Sequence, residues 1–289
     1  MSRKISRRGF LAGTSAASAV SPLVLPSAVL GKEGQLPPSE RITIAVFGVG
    51  NRGRHSLSAM RPPPDHQVVA IAEARRDRGQ SACQMTEEFY SQRLGKTSYS
   101  GCKLYSDFRD VLARDDIDAI WGTVPDHWHG CLYSRVIESG KDIYGEKPLS
   151  RWIAQGVKLK KLVRQYGTIF QVGLQQRSDP KFRLACNLAR NGYLGKVAEV
   201  QVAAPGGTVI PAVPPCDPPD GFDECIQSRK KPHADVEIVH RSTSLALLAN
   251  ISLATQSTLR WDPEREVITN HKEANQLLHY EYRKPWKLE

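Results

Sequence analysis

Residues 41–60, RITIAVFGVGNRGRHSLSAM, place an apolar run directly before three glycines with the spacing G-x-G-x-x-G. The β-branched run 42–47 predicts a buried parallel strand, and the residues after Gly53 predict a helix over 54–60. A second apolar run, 67–72, then ends at Glu73, which stands 20 residues after Gly53. Such a glycine triplet is weak alone, but strand, turn, helix and second strand together predict a dinucleotide-binding βαβ unit.

The residue types in this turn suit the binding of a pyrophosphate. Gly48 permits the tight turn out of the strand, and Gly50 lets the backbone approach the phosphates without a Cβ in the way. Gly53 lets the helix pack close to the sheet, and the start of the helix offers free N–H groups. We therefore expect Asn51 and Arg52, which lie between these glycines, to belong to the cofactor-binding loop as well.

Charged residues at the end of the second strand indicate whether NAD or NADP is bound. The Glu73 carboxylate can accept hydrogen bonds from the ribose hydroxyls of adenosine, and it would repel a 2′-phosphate. Arg75 and Arg76 follow directly and could instead pair with that phosphate. We expect NAD as the cofactor, with NADP as the alternative.

Strand-like and helix-like segments go on alternating as far as residue 175. Strands are predicted at 117–123, 141–144 and 168–172, and helices at 107–112, 130–139 and 151–166. Alternation of this kind is typical of the α/β class with a doubly wound parallel sheet, which is the Rossmann architecture. We therefore predict a nucleotide-binding Rossmann domain over residues 41–175, with ligands at the carboxyl ends of its strands.

Polar residues follow two of the predicted strands at those ends. They are Pro125, Asp126, His127, Trp128 and His129 after the first, and Glu146, Lys147 and Pro148 after the second. The pair of histidines beside an aspartate also has metal-ligand chemistry. Neighbouring residues on an irregular loop seldom converge on one ion, so we expect no metal site.

The sequences GVGNRG, PDHWH and EKP together resemble the motifs of the Gfo/Idh/MocA family of oxidoreductases, named partly for glucose–fructose oxidoreductase and inositol dehydrogenase. The resemblance covers residues 41 to about 210 and about 221 to 289. It implies an NAD(P)-dependent dehydrogenase that acts on a small-molecule sugar, polyol or derivative.

The resemblance also implies roles for single residues. Lys147 would be the catalytic residue, a partly desolvated lysine whose ammonium gives a proton to the substrate oxygen or whose neutral amine takes one from the substrate hydroxyl. Glu146 would stand next to the cofactor, and Pro148 would fix the turn through a cis peptide.

The other polar loop would line the cofactor cleft. His129 would contribute to the nicotinamide ribose site, and Pro125 and Asp126 to the cleft beside it. The residue before Pro125 is commonly threonine in the family, and here Val124 lacks the hydroxyl.

A second domain, expected over residues 176–289, is implied as well. Residues 181–191 predict the helix that leads into it, and residues 197–202 predict the first strand of an open sheet. The rest of that sheet has no counterpart, which indicates an internal deletion near Cys216 to Gly221 and an incomplete C-terminal α/β domain. His240, at the start of a later helix, is interpreted as a packed or capping histidine and not as a catalyst.

The incomplete domain leaves other functions open. A lid over the nicotinamide excludes water during hydride transfer, so its loss would give a shortened nucleotide-binding homologue with little or no catalytic activity. A third interpretation is a binding or scaffold protein that keeps only the fold. Members of the family associate through the second-domain sheet, so a homo-oligomer is a further expectation.

The first thirty residues predict an export signal. Residues 6–11, SRRGFL, resemble a twin-arginine signal, and an apolar stretch rich in alanine and serine follows to about Leu30. We expect the Tat export machinery as a partner and a periplasmic or exported protein. No clear A-x-A cleavage site is present, so a retained membrane anchor is the alternative.

Charge and cysteine content exclude other classes of protein. The net charge is +10, but four of the basic residues lie in the first eight positions and the others are scattered. Without a basic stripe interleaved with aromatics, no nucleic-acid partner is expected. The six cysteines include no C-x-x-C pair, and we interpret them as structural or incidental thiols.

Overall fold

Six parallel strands form the centre of the protein in the computed structural model, which describes residues 37, 40–59, 66–196 and 222–282. The strands are β1 (Ile42–Phe47), β2 (His66–Ala72), β3 (Lys103–Tyr105), β4 (Ala119–Gly122), β5 (Asp142–Glu146) and β6 (Phe170–Gly173). They lie in the order β3-β2-β1-β4-β5-β6, and each neighbouring pair is parallel. The predicted α/β class with a doubly wound sheet is confirmed.

Helices connect these strands and continue beyond them. In chain order they are α1 (Asn51–Ala59), α2 (Arg76–Arg93), α3 (Phe108–Leu112), α4 (Asp126–Glu138), α5 (Ile153–Tyr166), α6 (Gln175–Ser178), α7 (Pro180–Arg190), α8 (Phe222–Ser228) and α9 (Val236–Thr255). A short hairpin of β7 (Trp261–Asp262) and β8 (Val267–Ile268) and a 3₁₀ helix (Glu273–Leu278) follow α9. No described helix is both long and apolar enough to cross a membrane.

The sheet is buried on both faces, because successive residues of its strands enter two different clusters. On β4, Ile120 packs with Tyr133 and Phe170 on one face, whereas Trp121 packs with Tyr144 on the other. Burial on both sides accounts for the nearly continuous apolar runs from which the strands were predicted.

Two helices differ from the sequence-based expectations. The long helix α2 was not predicted, because its sequence RDRGQSACQMTEEFYSQR is largely polar and only Gly79, Ala82, Thr86 and Tyr90 are buried. Helix α4 begins at Asp126, so the PDHWH segment is the first turn of a helix and not an irregular loop. Pro125, with φ of −57°, stands just before that turn, and an acidic residue in a first turn suits the helix dipole.

Residues 222–282 pack against the sheet and helices that residues 42–173 form. Helix α9 packs on α5 and β6, and the Val172 N–H donates to the carbonyl of Ala234 at 3.1 Å along the outer edge of β6. His240 on α9 is buried against Gly156, where a Cβ would overlap its ring, and its Nε2 lies 2.6 Å from a Glu266 carboxylate oxygen. His240 is therefore a packed residue, as predicted.

Part of the predicted organisation lies outside the described residues. This applies to the export signal over 1–30, to the strand over 197–202 and to the junction at 216–221. The helix predicted over 181–191 is α7, and its apolar residues Phe182, Leu184 and Leu188 are exposed among the described residues.

One ion pair fastens the C-terminal segment to the sheet. Asp142, at the start of β5, has a side chain only 6% exposed, and Arg229 contacts both of its carboxylate oxygens, with Nη2 3.1 Å from Oδ1. Arg229 Nη2 also donates to the carbonyl of Gly167 at 2.8 Å. Burial raises the pKa of Asp142, and the guanidinium opposes that rise.

We expect Arg229→Met to destabilise the protein, because it leaves the Asp142 carboxylate buried without a counter-charge. Removing one partner of a fully buried pair costs about 3–5 kcal/mol, and the half-exposed Arg229 reduces this to about 2 kcal/mol. Urea unfolding at pH 7 measures the loss. Arg229→Lys, which keeps the charge, should lose less than Arg229→Met, and equal stability of the methionine variant and the natural chain would contradict the prediction.

Candidate cofactor-binding site

In the turn after β1, Gly48 and Gly53 are needed for the backbone conformation itself. Gly48 has φ of +80°, a left-handed conformation that favours glycine. A Cβ on Gly53 would overlap the Gly48 carbonyl oxygen and would lie 2.6 Å from the Thr123 hydroxyl. The chain therefore folds back on itself at this point only because Gly53 has no side chain.

Gly50 differs from Gly48 and Gly53, because a side chain at this position would point into open space. The atom nearest to a Cβ added there is Nη1 of Arg78, at 3.7 Å. Helix α1 begins at the next residue and has no acidic side chain in its first turn, so its first N–H groups have no local carboxylate acceptor. A backbone that is open beside a helix N-terminus suits a pyrophosphate, and the binding of one at this turn stays a prediction.

Glu73 connects the end of β2 to this turn. Its Oε2 accepts a hydrogen bond from the Val49 N–H at 2.8 Å, and its Oε1 accepts one from the Arg75 N–H at 3.0 Å. Arg75 is itself paired with Asp77, at 2.6 Å. The predicted ribose-binding carboxylate is thus fixed beside the glycine turn, and one of the two arginines that favoured NADP is already bound to an acid.

Thr123 and Val124, at the end of β4, support the turn from the neighbouring strand. The Thr123 hydroxyl donates to the Gly48 carbonyl, and Val124 packs against the same glycine. Val124 was distinguished in the sequence only by its missing hydroxyl, and Thr123 was not predicted as a site residue. The adjacency of β1 and β4 in a doubly wound sheet is the signal that could have found it.

His129 joins the two polar loops. It is 1% exposed, with Nδ1 2.5 Å from the Pro148 carbonyl oxygen and Nε2 3.1 Å from the Val124 carbonyl oxygen. Burial lowers its pKa, and the two carbonyl contacts act in the opposite direction. The ring thus holds the start of α4 against the EKP turn, and a contact with the nicotinamide ribose stays a prediction.

An ion pair links the glycine turn to the EKP turn. Glu146, at the end of β5, is buried, and its Oε1 lies 2.7 Å from Arg52 Nη2 and 2.9 Å from Arg52 Nε. Gln175 Nε2 donates to the same oxygen at 3.3 Å. Arg52 and Glu146 were predicted separately as cofactor-binding residues, whereas their mutual contact and Gln175 were not foreseen.

Lys147 follows directly on β5 and is exposed. Its peptide bond to Pro148 is cis, as the resemblance implied, and its ammonium makes no hydrogen bond or ion pair with the described residues. The expected desolvation is therefore not provided by this part of the chain. Because β1, β4 and β5 are parallel neighbours, Lys147 stands on the same edge of the sheet as the glycine turn.

Asp126 and His127 lie on the exposed first turn of α4. Asp126 is 3.9 Å from Arg151 Nε and 3.9 Å from His127 Nδ1. Across the described ranges, no three His, Cys, Asp or Glu side chains are grouped closely enough to hold a metal ion.

The strand order, the open glycine turn and the carboxylate at the end of β2 define a dinucleotide-binding Rossmann domain, the class of domain that nicotinamide-dependent oxidoreductases use. Residues 42–174 match the family model described as "Oxidoreductase family, NAD-binding Rossmann fold", and residues 204–288 match its "C-terminal alpha/beta domain". The chain belongs to the Gfo/Idh/MocA family of oxidoreductases.

Curated relatives are similar to part of this chain. A scyllo-inositol 2-dehydrogenase (NAD⁺) of Bacillus subtilis is 26% identical over 54% of this chain and 42% of its own length. An inositol 2-dehydrogenase of Rhodococcus jostii is 28% identical over 61% of this chain and 44% of its own length. This chain thus spans less than half the length of either relative.

Solved structures give a similar coverage. A 3-ketoreductase from Actinomadura kijaniata, in complex with NADP and TDP-benzene, is 25% identical with a TM-score of 0.42, over 53% of this chain and 43% of that one. An apo scyllo-inositol dehydrogenase from Lactobacillus casei is 22% identical with a TM-score of 0.43, over 54% and 43% of the two chains.

Proposed function

We propose that this chain binds NAD and acts as a dehydrogenase or reductase of a sugar, a polyol or a derivative. One observation carries the proposal: an open glycine turn and Lys147 lie on the same edge of the sheet, joined by the Arg52–Glu146 ion pair. The inositol dehydrogenases and the sugar ketoreductase among the similar proteins support this class of substrate.

Each part of the site has one task in this proposal. The first N–H groups of α1 bind the pyrophosphate beside Gly50, and the Glu73 carboxylate accepts hydrogen bonds from the ribose hydroxyls. Bound nicotinamide supplies the hydride chemistry. Lys147 takes the proton from the substrate hydroxyl during oxidation and returns it during reduction. His129 and the Arg52–Glu146 pair hold the loops that carry these groups.

NAD is favoured over NADP by the electrostatics around Glu73. Its carboxylate is fixed by two backbone N–H groups, so it cannot turn away from an approaching 2′-phosphate without losing them. Arg75 is occupied by Asp77, which reduces its attraction for that phosphate. We expect NADH to bind more tightly than NADPH.

The alternative is a nucleotide-binding homologue with little or no turnover. It is supported by the fact that the chain spans less than half the length of its relatives, and by the exposed apolar residues of α7. In this alternative the glycine turn still binds the dinucleotide, but no lid excludes water from the nicotinamide.

Binding and turnover, measured in that order, separate these functions. The purified chain is titrated with NADH and NADPH while nicotinamide fluorescence and the melting temperature are recorded, and it is then assayed on inositols and aldoses. Binding with turnover supports the dehydrogenase, and binding without turnover supports the alternative. If neither NADH nor NADPH changes the fluorescence or the melting temperature, both functions are excluded, and the interpretation as a binding or scaffold protein that keeps only the fold is left.

Export and association complete the proposal. We propose that residues 1–30 are recognised by the Tat machinery, which delivers the protein to the periplasm or beyond, with an uncleaved signal acting as an anchor in the alternative case. The domain boundaries near residues 30, 41 and 175 and association into a homo-oligomer belong to the same proposal.

Replacement of Arg7 and Arg8 by lysine should abolish export, as fractionation of cells would measure.

A further inference from the structure

Two cysteines that no motif connects lie side by side at the edge of the sheet. Cys83 is on α2, Cys102 immediately precedes β3, and their Sγ atoms are 3.7 Å apart. Both side chains are half-buried, and both are thiols in the structure. A disulfide has an S–S distance of about 2.05 Å, so the two sulfurs need to approach by less than about 2 Å to form one.

The backbone around this pair is already fixed in place. A Glu87 carboxylate oxygen on α2 accepts hydrogen bonds from the Gly101 N–H at 3.2 Å and the Cys102 N–H at 3.4 Å. Tyr99, three residues earlier, packs its ring on that of Tyr90 with centroids 5.1 Å apart. The segment that carries Cys102 is therefore docked on α2 by contacts that do not involve the sulfurs.

We propose that Cys83 and Cys102 are a disulfide-forming pair, oxidised in the folded protein by exchange with a protein disulfide or a low-molecular-weight disulfide. The Cys83 thiolate attacks one sulfur of the oxidant, whose disulfide bond breaks to give a mixed disulfide and one thiolate. The Cys102 thiolate then attacks Cys83 Sγ and displaces the second thiolate. The oxidant gains two electrons, and its two thiolates take up the two protons that the cysteines lose.

The contact between the two sulfurs shifts their pKa values in opposite directions. The Cys102 S–H donates to the Cys83 sulfur, and this contact lowers the pKa of Cys83. The same contact, followed by burial, raises the pKa of Cys102. These directions favour Cys83 as the thiol that attacks the external disulfide, with Cys102 resolving the intermediate.

The disulfide would hold the short edge strand β3 against α2. Within the described part of the chain, β3 is a three-residue edge strand that pairs with β2 alone, and a Cys83–Cys102 bond would fix its start to α2. The same two elements flank Glu73, whose N–H donates to the Tyr105 carbonyl at 3.0 Å. The inference does not rest on the proposed function, since it needs only the thiols and their surroundings.

To test this, the full chain is treated with oxidised glutathione, and the remaining thiols are alkylated. The protein is then digested, and the disulfide-linked peptides are identified by mass spectrometry without reduction. We expect a cross-linked pair of peptides that contain Cys83 and Cys102. The melting temperature should rise by roughly 5–10 °C and fall back after treatment with dithiothreitol. Cys83→Ser and Cys102→Ser should each abolish the rise, and Cys131→Ser, a buried cysteine on α4, should keep it.

The opposite results are equally specific. If Cys83 and Cys102 are both still alkylated after oxidation, or if they are recovered bound to glutathione or to other cysteines, the pair is not a disulfide site. The mapping on the natural chain decides this even if a serine variant fails to fold.

Discussion

Gly50→Val is expected to weaken the binding of NADH at least 100-fold while the protein stays folded. The valine side chain fills the open space in front of the turn, which keeps the pyrophosphate from the N–H groups of α1 and removes several charge-assisted hydrogen bonds. Because the nearest atom to the new Cβ is the end of a flexible arginine side chain 3.7 Å away, the substitution causes no clash with the backbone. Fluorescence titration with NADH measures the loss.

The matched control for this variant is the third glycine of the same turn. Gly53→Val drives a side chain into the Gly48 carbonyl oxygen, so we expect it to lower the free energy of unfolding by about 3 kcal/mol or more. Gly50→Val should lose no more than about 1 kcal/mol, which reflects the poor fit of valine just before a helix. Unchanged affinity of Gly50→Val for NADH would refute the assignment of the turn.

Lys147→Met is expected to reduce kcat by about 10²–10⁴-fold on whichever polyol or sugar the natural chain turns over best. It removes the group that transfers the proton, and general acid–base catalysis contributes this much in enzymes. Methionine keeps a side chain of similar length, and the ammonium of Lys147 has no hydrogen-bond or ion-pair partner among the described residues. The melting temperature should therefore be unchanged, and the affinity for NADH should change by less than about threefold.

Lys161→Met provides the comparison for this second variant. Lys161 is an exposed lysine on α5, so its removal changes the net charge equally without altering the carboxyl edge of the sheet. We expect its kcat to match that of the natural chain. A Lys147→Met enzyme that keeps more than half of the natural kcat would show that another group transfers the proton.

The sequence predicted the sheet well because its strands are short apolar runs buried on both faces. Such runs are visible without tertiary information, and the alternation of strands and helices determines the strand order by the rules of α/β folds. The helix α2 was not predicted because its sequence is largely polar and few of its residues are buried, so its apolar periodicity is weak. The start of α4 was placed four residues too late, because a Pro-Asp segment is typical of both a loop and the start of a helix.

The candidate site was predicted residue by residue, but its connections were not. Arg52 and Glu146 are 94 residues apart in the chain, and only the adjacency of β1, β4 and β5 brings them together. The same holds for Thr123 with Gly48 and for the two thiols of Cys83 and Cys102, which were interpreted as structural or incidental. Motifs indicate which chemistry is present, whereas contacts between distant segments depend on packing that a single sequence does not display.

The pairing of Ala234 and Asp235 with β6 has a consequence for synthesis on the ribosome. When β6 has emerged, its outer edge and the adjoining surface of α5 still lack α9, which is made more than 60 residues later. The nascent chain therefore carries an uncovered sheet edge until Ala234, Asp235 and α9 have been translated. A protein truncated before residue 234 should expose that edge to other chains and aggregate, although every residue of the nucleotide turn is present in it.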